Sequence, residues 1–308
     1  MNDWRLGIDV GATKIEIVAL DRTGEMKLRR RVPNPGQYDA LLTTIRDLSN
    51  SAADELGASS SSTPLPIGVG IPGSTDASSG LVKNANATWL NGKPFERDLP
   101  EVAGRPARVE NDANCFALSE AIDGAAAGKN VVFGVIIGSG MGGGLVVNGK
   151  LVSGLNHIAG EWGHTPLPWP RLEEFPMPKC FCGNEGCLER FLCGSALAED
   201  WQGPGHRSVE GIEDAAANGD ARAVAAIDRY VDRFARACAM LINILDPDAI
   251  VLGGGVSNLR AVRERTQGLL QRHVITPGCK TPILGNKHGD SSGVRGAAWL
   301  WEPAETTR

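Results

Sequence analysis

His164, Cys180, Cys182 and Cys187 are the most chemically specific set in the chain, spaced H-x15-C-x-C-x4-C. One imidazole and three thiolates make a complete tetrahedral set for Zn²⁺. Four protein ligands leave no open position, so such a metal is structural. Gly183 and Gly186 permit the tight backbone curl that close-set ligands need. A redox-active C-x-C pair beside a bystander histidine is the competing reading. Seven cysteines cannot all pair within one chain, and four of them crowd between 180 and 193, which in a reducing compartment points to metal before disulfide. Cys115, Cys238 and Cys279 stand apart and read as small core residues. Glu161 lies three residues before His164, a spacing that puts both on one face of a short helix or turn. A metal-bound histidine normally holds a partner on its second ring nitrogen. Here a substrate hydroxyl would serve, with Glu161 and Glu189 accepting from neighbouring hydroxyls. Taken singly, either glutamate also reads as a solvated carboxylate.

A second set gathers around Asp112, which follows Asn111 at the start of a helical segment. An aspartate there is either an N-cap or a general base. Phosphoryl transfer to an alcohol needs such a carboxylate within reach of the hydroxyl, and an amide such as Asn111 beside it to orient the acceptor. Asp9, at the end of an apolar run, is placed to hold Mg²⁺ through water. Thr13 and Lys14 follow on the same turn and would contact the transferred phosphate. Apolar strands end in glycine turns near Asp9, Gly138 and Gly253, and each turn offers backbone N–H groups to an anion. None of the three is a GxxxxGK[ST] or GxGxxG signature in the right setting, which disfavours those nucleotide folds.

The elements that must position these residues alternate between strand and helix. Leu6–Val10 and Ile15–Leu20 read as a hairpin, Tyr38–Leu56 as a helix and Ile67–Ile71 as a buried strand. The serine-rich stretch from Ala58 to Pro64 reads as a solvated loop. A strand over Ala107–Val109, a helix over Asn111–Gly124 and a β-branched strand over Val131–Ile137 follow. A long helix over Ala221–Leu245 stops at Asp246-Pro247, a strand covers Ala249–Leu252, and a final helix spans roughly Gly293–Leu300. The pattern is α/β. The chain has 308 residues, which suggests two lobes. A net charge of −5 gives no footprint for nucleic acid. No apolar run approaches the length of a membrane span and no signal-peptide pattern opens the sequence, so a cytoplasmic protein without membrane partners is expected. The proline-rich segment from Pro166 to Lys179 reads only as a rigid connection.

Together these motifs resemble the ROK family (repressors, open reading frames and sugar kinases) over essentially the whole chain. Asp9-Val10-Gly11-Ala12-Thr13-Lys14 is similar to the family's first phosphate loop, with Ala12 where a second glycine is usual. Glu110-Asn111-Asp112-Ala113-Asn114 is similar to its catalytic segment. Gly138-Ser139-Gly140-Met141-Gly142-Gly143-Gly144 resembles the second phosphate loop, with Ser139 where threonine is commoner, and Gly253-Gly254-Gly255-Val256-Ser257-Asn258 resembles the adenosine-side loop. The resemblance implies an actin-like, ribonuclease H-like ATPase fold. Its two α/β lobes, 1–118 plus 292–308 and 119–291, carry a zinc loop and close on ATP and sugar. It implies Asp112 as base and sugar contacts from Gly73, Ser74, Asn86, Asn111, Glu161, His164 and Glu189. It assigns the nucleotide and Mg²⁺ to Asp9, Gly11, Thr13, Lys14, Gly138, Ser139, Gly140, Gly142, Gly254, Gly255 and Asn258, with structural Zn²⁺ on His164 and the three cysteines.

Within the family, Lys83–Gly92 and His288–Trp301 are most similar to bacterial fructokinases of the manno-fructokinase type. Transfer to the 6-hydroxyl of fructose is therefore the expectation, with mannose weaker. An N-acetylhexosamine or glucose kinase is the alternative, and an inert binder of sugar and ATP the non-enzyme one. ROK repressors carry a helix-turn-helix ahead of this core, and here the first strand begins by Leu6. A homodimer is expected from the same resemblance.

Overall fold

A computed structural model describes residues 4–58 and 64–301. The serine loop read over 58–64 therefore lies largely outside the described residues, as do the termini. The chain divides into two compact units. The first takes in the chain through Gly124, Leu151–Ala159 and everything from His288 onward; the second takes in Ala125–Lys150 and Gly160–Lys287.

In the first unit β1 (Arg5–Val10), β2 (Lys14–Leu20), β3 (Met26–Pro33), β4 (Ile67–Ile71) and β7 (Ala107–Asn111) form one sheet, ordered β3-β2-β1-β4-β7. β5 (Ser74–Thr75) and β6 (Val82–Lys83) make a small separate ribbon. β1 pairs antiparallel with β2 and parallel with β4, which pairs parallel with β7. Parallel neighbours all end at the same edge, so Asp9 and Asn111 finish their strands side by side with Ile71. α1 (Tyr38–Glu55) and α2 (Phe95–Ala103) cover one face, where Leu41, Leu42, Ile45, Phe95 and Leu99 join Leu6, Ile8 and Val69 in the core. α3 (Asp112–Ile122) and the C-terminal helix Ser292–Ala298 lie on the other face, at very close range. A Cβ at Gly68 would stand 1.7 Å from the Ala297 carbonyl oxygen, and one at Gly296 would stand 1.6 Å from that of Cys115. Only glycine permits this packing.

The second unit repeats the pattern. β8 (Val131–Ile137), β9 (Met141–Val147), β10 (Lys150–Leu151), β11 (Ala249–Gly253) and β12 (Ile283–Gly285) are ordered β10-β9-β8-β11-β12, again antiparallel on one side of the first central strand and parallel on the other. Short helices α4 (Glu189–Leu192), α5 (Gly194–Gln202) and α6 (Ile212–Ala217) precede the long α7 (Ala221–Leu245), and α8 (Arg260–Leu269) follows. The Asp220 side chain caps α7, accepting from the N–H groups of Arg222 and Ala223 at 2.8 and 3.2 Å. Pro247, which cannot continue the helix, stands just past its end. Tyr230, Phe234 and Ile242 of α7 pack on Phe133, Val135 and Ile250 of the sheet.

Two details depart from the sequence reading. The lobe boundary expected at 118/119 falls inside α3, and the change of unit comes at Gly124. Gly142, read as part of a phosphate loop, lies in β9 opposite Ile136. Among the described residues no helix is long and apolar enough to cross a membrane.

Candidate active site and metal centre

Asn111, not Asp112, caps α3. Its Oδ1 accepts from the N–H groups of Ala113 at 2.9 Å and Asn114 at 3.4 Å. Asp112 is thereby the first residue of the helix, exposed, with Oδ1 near the Ala113 N–H at 2.8 Å. The cap satisfies the first N–H groups of the helix. The Asn111 amide also donates to the carbonyl oxygen of Gly73 at 2.8 Å. Behind it, Glu110 Oε1 accepts from the Asn111 N–H and from the Asn114 amide, at 2.8 and 2.9 Å. Asn114 Oδ1 is buried without a hydrogen-bond partner. Ser74, Thr75, Glu110, Asn111, Asn114 and His157 line a small cavity of about 80 Å³ here. Asn86 is exposed and does not border it.

Asp9 stands at the end of β1 in the same unit. Burial, then the carboxylates of Asp112 and Glu16, push its carboxyl up to about 7, against a smaller pull from Lys14 and Arg31. Crowded carboxylates of this kind suit a hard cation such as Mg²⁺, which would restore the charged form. The turn that follows closes through the Gly11 N–H, which donates to the Lys14 carbonyl oxygen at 2.9 Å. Asn34 splints it from β3's end: its amide donates to the Gly11 carbonyl at 2.7 Å and its backbone N–H to that of Thr13 at 2.9 Å. Thr13 and Lys14 are exposed.

In the second unit, the turn joining β8 to β9 carries Gly138, Ser139 and Gly140, with the Gly138 N–H donating to the Gly140 carbonyl at 2.9 Å. Ser139 is exposed. At the end of the neighbouring β11, Gly254 has φ +82°, and a Cβ there would stand 2.4 Å from the Ile137 carbonyl oxygen. The Ser257 hydroxyl fastens this loop by donating to the Gly254 carbonyl at 2.7 Å. Gly255 and Asn258 are exposed beside it. β8 and β11 are adjacent and parallel, so these two glycine turns emerge at one sheet edge.

The four metal-ligand candidates converge. One ligand atom from each of His164, Cys180, Cys182 and Cys187 lies within 4.8 Å of all the others. His164 Nδ1 to Cys180 Sγ and Cys182 Sγ to Cys187 Sγ both measure 3.6 Å. Zn–S bonds of about 2.3 Å in a tetrahedron would place sulfurs about 3.7 Å apart, so the set fits the ion. The loops are held by backbone as well: the Leu188 N–H donates to Thr165 and the Cys180 N–H to Asn184, at 2.9 and 2.8 Å. Phe181 sets its ring edge-on to His164, centroids 5.0 Å apart. Without a metal, burial and then the neighbouring thiols push Cys187 up to about 12, while the Asn184 N–H lowers exposed Cys182. Ligation would hold all three as thiolates. Cys115 and Cys238 are buried and their thiols pushed well up by burial, in keeping with core roles.

Glu161 is exposed at the head of the short turn Trp162–His164, where its carbonyl accepts from the His164 N–H at 3.2 Å. Glu189 opens α4, and its Oε2 accepts the Met141 N–H at 3.0 Å. The proline-rich connection is anchored rather than merely stiff. Arg236, 1% exposed in mid-α7, donates to the carbonyls of Pro168 and Trp169, both at 2.9 Å, and to Glu174 at 2.5 and 3.1 Å.

Sequence reasoning missed Asn34, Asn114 and His157. Asn114 lies within the Glu110–Asn114 motif, where its type and place alone do not set it apart; Asn34 and His157 sit in segments with no periodicity to mark them. The sequence matches the ROK family over residues 5–304. The chain belongs to the ROK family. An N-acetyl-D-glucosamine kinase of Escherichia fergusonii is 39% identical over 302 residues, covering 96% of this chain and 98% of that one. Among solved structures, the ROK hexokinase of Thermus thermophilus superposes with a TM-score of 0.83 at 29% identity, covering 96% and 97% of the two chains. A ROK glucokinase of Streptomyces griseus, solved with glucose and AMPPNP, gives 0.72 at 26% identity over 96% and 98%. This ROK chain therefore shares 96% of its length, and not one lobe alone, with these relatives.

Proposed function

We propose that this ROK protein is an ATP-dependent sugar kinase that phosphorylates the 6-hydroxyl of an N-acetylhexosamine, N-acetyl-D-glucosamine first. The observation that carries the substrate is the 39% identity to an N-acetyl-D-glucosamine kinase across 96% of the chain. It outweighs the fructokinase likeness, which rested on one loop over 83–92 and a C-terminal stretch. The observation that carries the chemistry is Asp112, presented at the head of α3 by the Asn111 cap.

In this reading Asp112 takes the proton of the 6-hydroxyl as its oxygen bonds to the γ-phosphorus. The bond from that phosphorus to the bridging oxygen of ADP breaks, giving the sugar 6-phosphate and ADP. Asn111, fixed between α3 and the Gly73 carbonyl, orients the sugar together with Gly73 and Ser74. Glu161, His164 and Glu189 are assigned to ring hydroxyls. The glycine turns near Gly11, Gly138 and Gly254 offer N–H groups to the nucleotide, with Thr13, Lys14, Ser139 and Asn258 beside them. Mg²⁺ held near Asp9 would neutralise phosphate charge, and Zn²⁺ on His164, Cys180, Cys182 and Cys187 would fix its loops.

A coupled ADP-release assay with MgATP tests this against N-acetylglucosamine, N-acetylmannosamine, glucose, mannose and fructose. The expected result is the highest kcat/KM with N-acetylglucosamine. Fructose ahead of both N-acetylated sugars would return the reading to fructokinase, and no turnover with any sugar would end the kinase reading.

A further inference from the structure

The Cys/His centre and the glycine turn after β8 are joined at both ends of the centre. On the cysteine side, Glu189 comes two residues after Cys187, and its Oε2 accepts the Met141 N–H at 3.0 Å. Five residues further on, the Gly194 N–H donates to the Gly138 carbonyl at 2.7 Å. On the histidine side, Trp162 comes two residues before His164, and its indole N–H donates to the Gly142 carbonyl at 3.2 Å. Gly163, between them, passes so close that a Cβ would stand 2.4 Å from the Met141 carbonyl oxygen. Gly140 leaves room for this carboxylate beside the turn, since a Cβ there would stand 3.0 Å from the same Oε2.

From this we infer that Glu189 is a positioning residue through which the metal centre sets the 138–142 turn, and with it the affinity for nucleotide phosphates. The inference rests on the phosphate role assigned above to that turn. A loop of N–H groups binds an anion well only when the groups already converge, because ordering them on binding costs affinity. The carboxylate supplies a charge-assisted hydrogen bond, stronger than a neutral one, to the N–H at the turn's exit. Oε2 is committed to Met141, so Oε1 is the oxygen left for a sugar hydroxyl. Fixing Cys187 and His164 on one ion fixes the backbone that aims Glu189 and Trp162. Releasing the ion would loosen the turn without touching any phosphate contact directly.

Two measurements without sugar test this: hydrogen–deuterium exchange of the peptide spanning 138–144, and calorimetric binding of MgADP. Both are made on Zn²⁺-loaded wild type, chelator-treated wild type, Glu189→Ala and Glu189→Gln. The expected result is that chelation and Glu189→Ala each speed exchange in that peptide and weaken MgADP about tenfold, the size of one charge-assisted hydrogen bond. Chelating Glu189→Ala should add less than about twofold, because both act along one path. Glu189→Gln keeps an acceptor oxygen and should recover most of the affinity. Unchanged exchange and MgADP affinity after chelation would overturn the inference, as would full additivity of chelation and substitution. The chelator arm needs no substitution, so it decides the matter even if the alanine variant fails to fold. Loaded wild type that binds no MgADP would instead overturn the phosphate reading of the turn, while the exchange arm still judges the coupling.

Discussion

The side-chain amide of Asn111 donates to the carbonyl oxygen of Gly73 at 2.8 Å while its oxygen caps α3. One side chain therefore fixes both the helix that presents Asp112 and the turn that leads into Ser74. β4 and β7 pair in parallel with Ile71 opposite Asn111, which brings the two segments together at one sheet edge. Cap and tether use different atoms of the amide, so they can be separated by substitution.

Asn111→Asp keeps the capping oxygen and loses the donor to Gly73. The expected outcome is near-wild-type stability with KM for the sugar raised about tenfold, the cost of one lost orienting hydrogen bond. Asn111→Ala loses both and should also cost about 1 kcal/mol in denaturant unfolding. Equal sugar KM values for wild type and Asn111→Asp would show that the Gly73 tether does not matter to binding.

Asp112→Asn should lower kcat by ~10²–10⁴, the range for losing a positioned general base, while leaving the unfolding midpoint in place because Asn111 still caps the helix. Steady-state kinetics beside thermal unfolding checks both halves. Turnover within a few-fold of wild type would remove Asp112 as the base.

Asp9 gives the ligand-free protein a defined pH dependence. Its carboxyl moves from 3.8 to about 7 on folding, through burial first and then Asp112 and Glu16. Between those values the folded chain keeps a proton that the unfolded chain has released. Stability is therefore highest at the acidic end of this window and falls as pH rises through it, by at most ~1.4 kcal/mol per unit from this group. Asp9→Asn should flatten that slope, measured by denaturant titrations from pH ~4 to ~8 in the absence of nucleotide. Equal slopes in the two proteins would mean that Asp9 does not hold the proton.

Much of this was legible in the sequence because the decisive residues lie close together along the chain. The spacing of His164 and the three cysteines alone announced a tetrahedral set, and the structure brings their ligand atoms together. α7 was legible because its residues from Ala221 to Leu245 are rich in apolar side chains and Asp246-Pro247 stops it. β9 was not, because Gly142, Gly143 and Gly144 carry no side chains to show alternation and pairing with β8 alone makes them strand. Asn34 was invisible because it serves a turn 23 residues away through a backbone carbonyl. The buried role of Arg236 was hidden for the same reason, its partner Glu174 lying 62 residues earlier.

Metal analysis of protein purified without added chelator should find close to one zinc per chain. Cys187→Ser should lose it and lower the unfolding midpoint by roughly 2–4 °C for each kcal/mol of stability lost. Cys182, exposed where Cys187 is buried, should tolerate serine better in stability while still losing metal. Zinc-free wild type with an unchanged midpoint would leave the cluster without a structural ion.

Glu174 and Arg236 form the buried ion pair that ties the proline-rich connection to α7, with side chains 3% and 1% exposed. Burial works to raise the Glu174 carboxyl, but hydrogen bonds from Arg236, the Arg171 N–H and Arg233 outweigh it and hold it below the usual range. Removing Glu174 leaves the buried Arg236 with Asp232 at 3.1 Å and the Pro168 and Trp169 carbonyls, a partly compensated charge. Glu174→Ala should therefore cost about 1–3 kcal/mol, less than the ~3–5 kcal/mol of a fully orphaned buried charge, whereas replacing both residues by apolar side chains of matching volume should recover part of it. Denaturant unfolding of the single and double variants measures the difference. A single variant that loses less than about 1 kcal/mol would show that the pair is open to water and that the connection is held by other contacts.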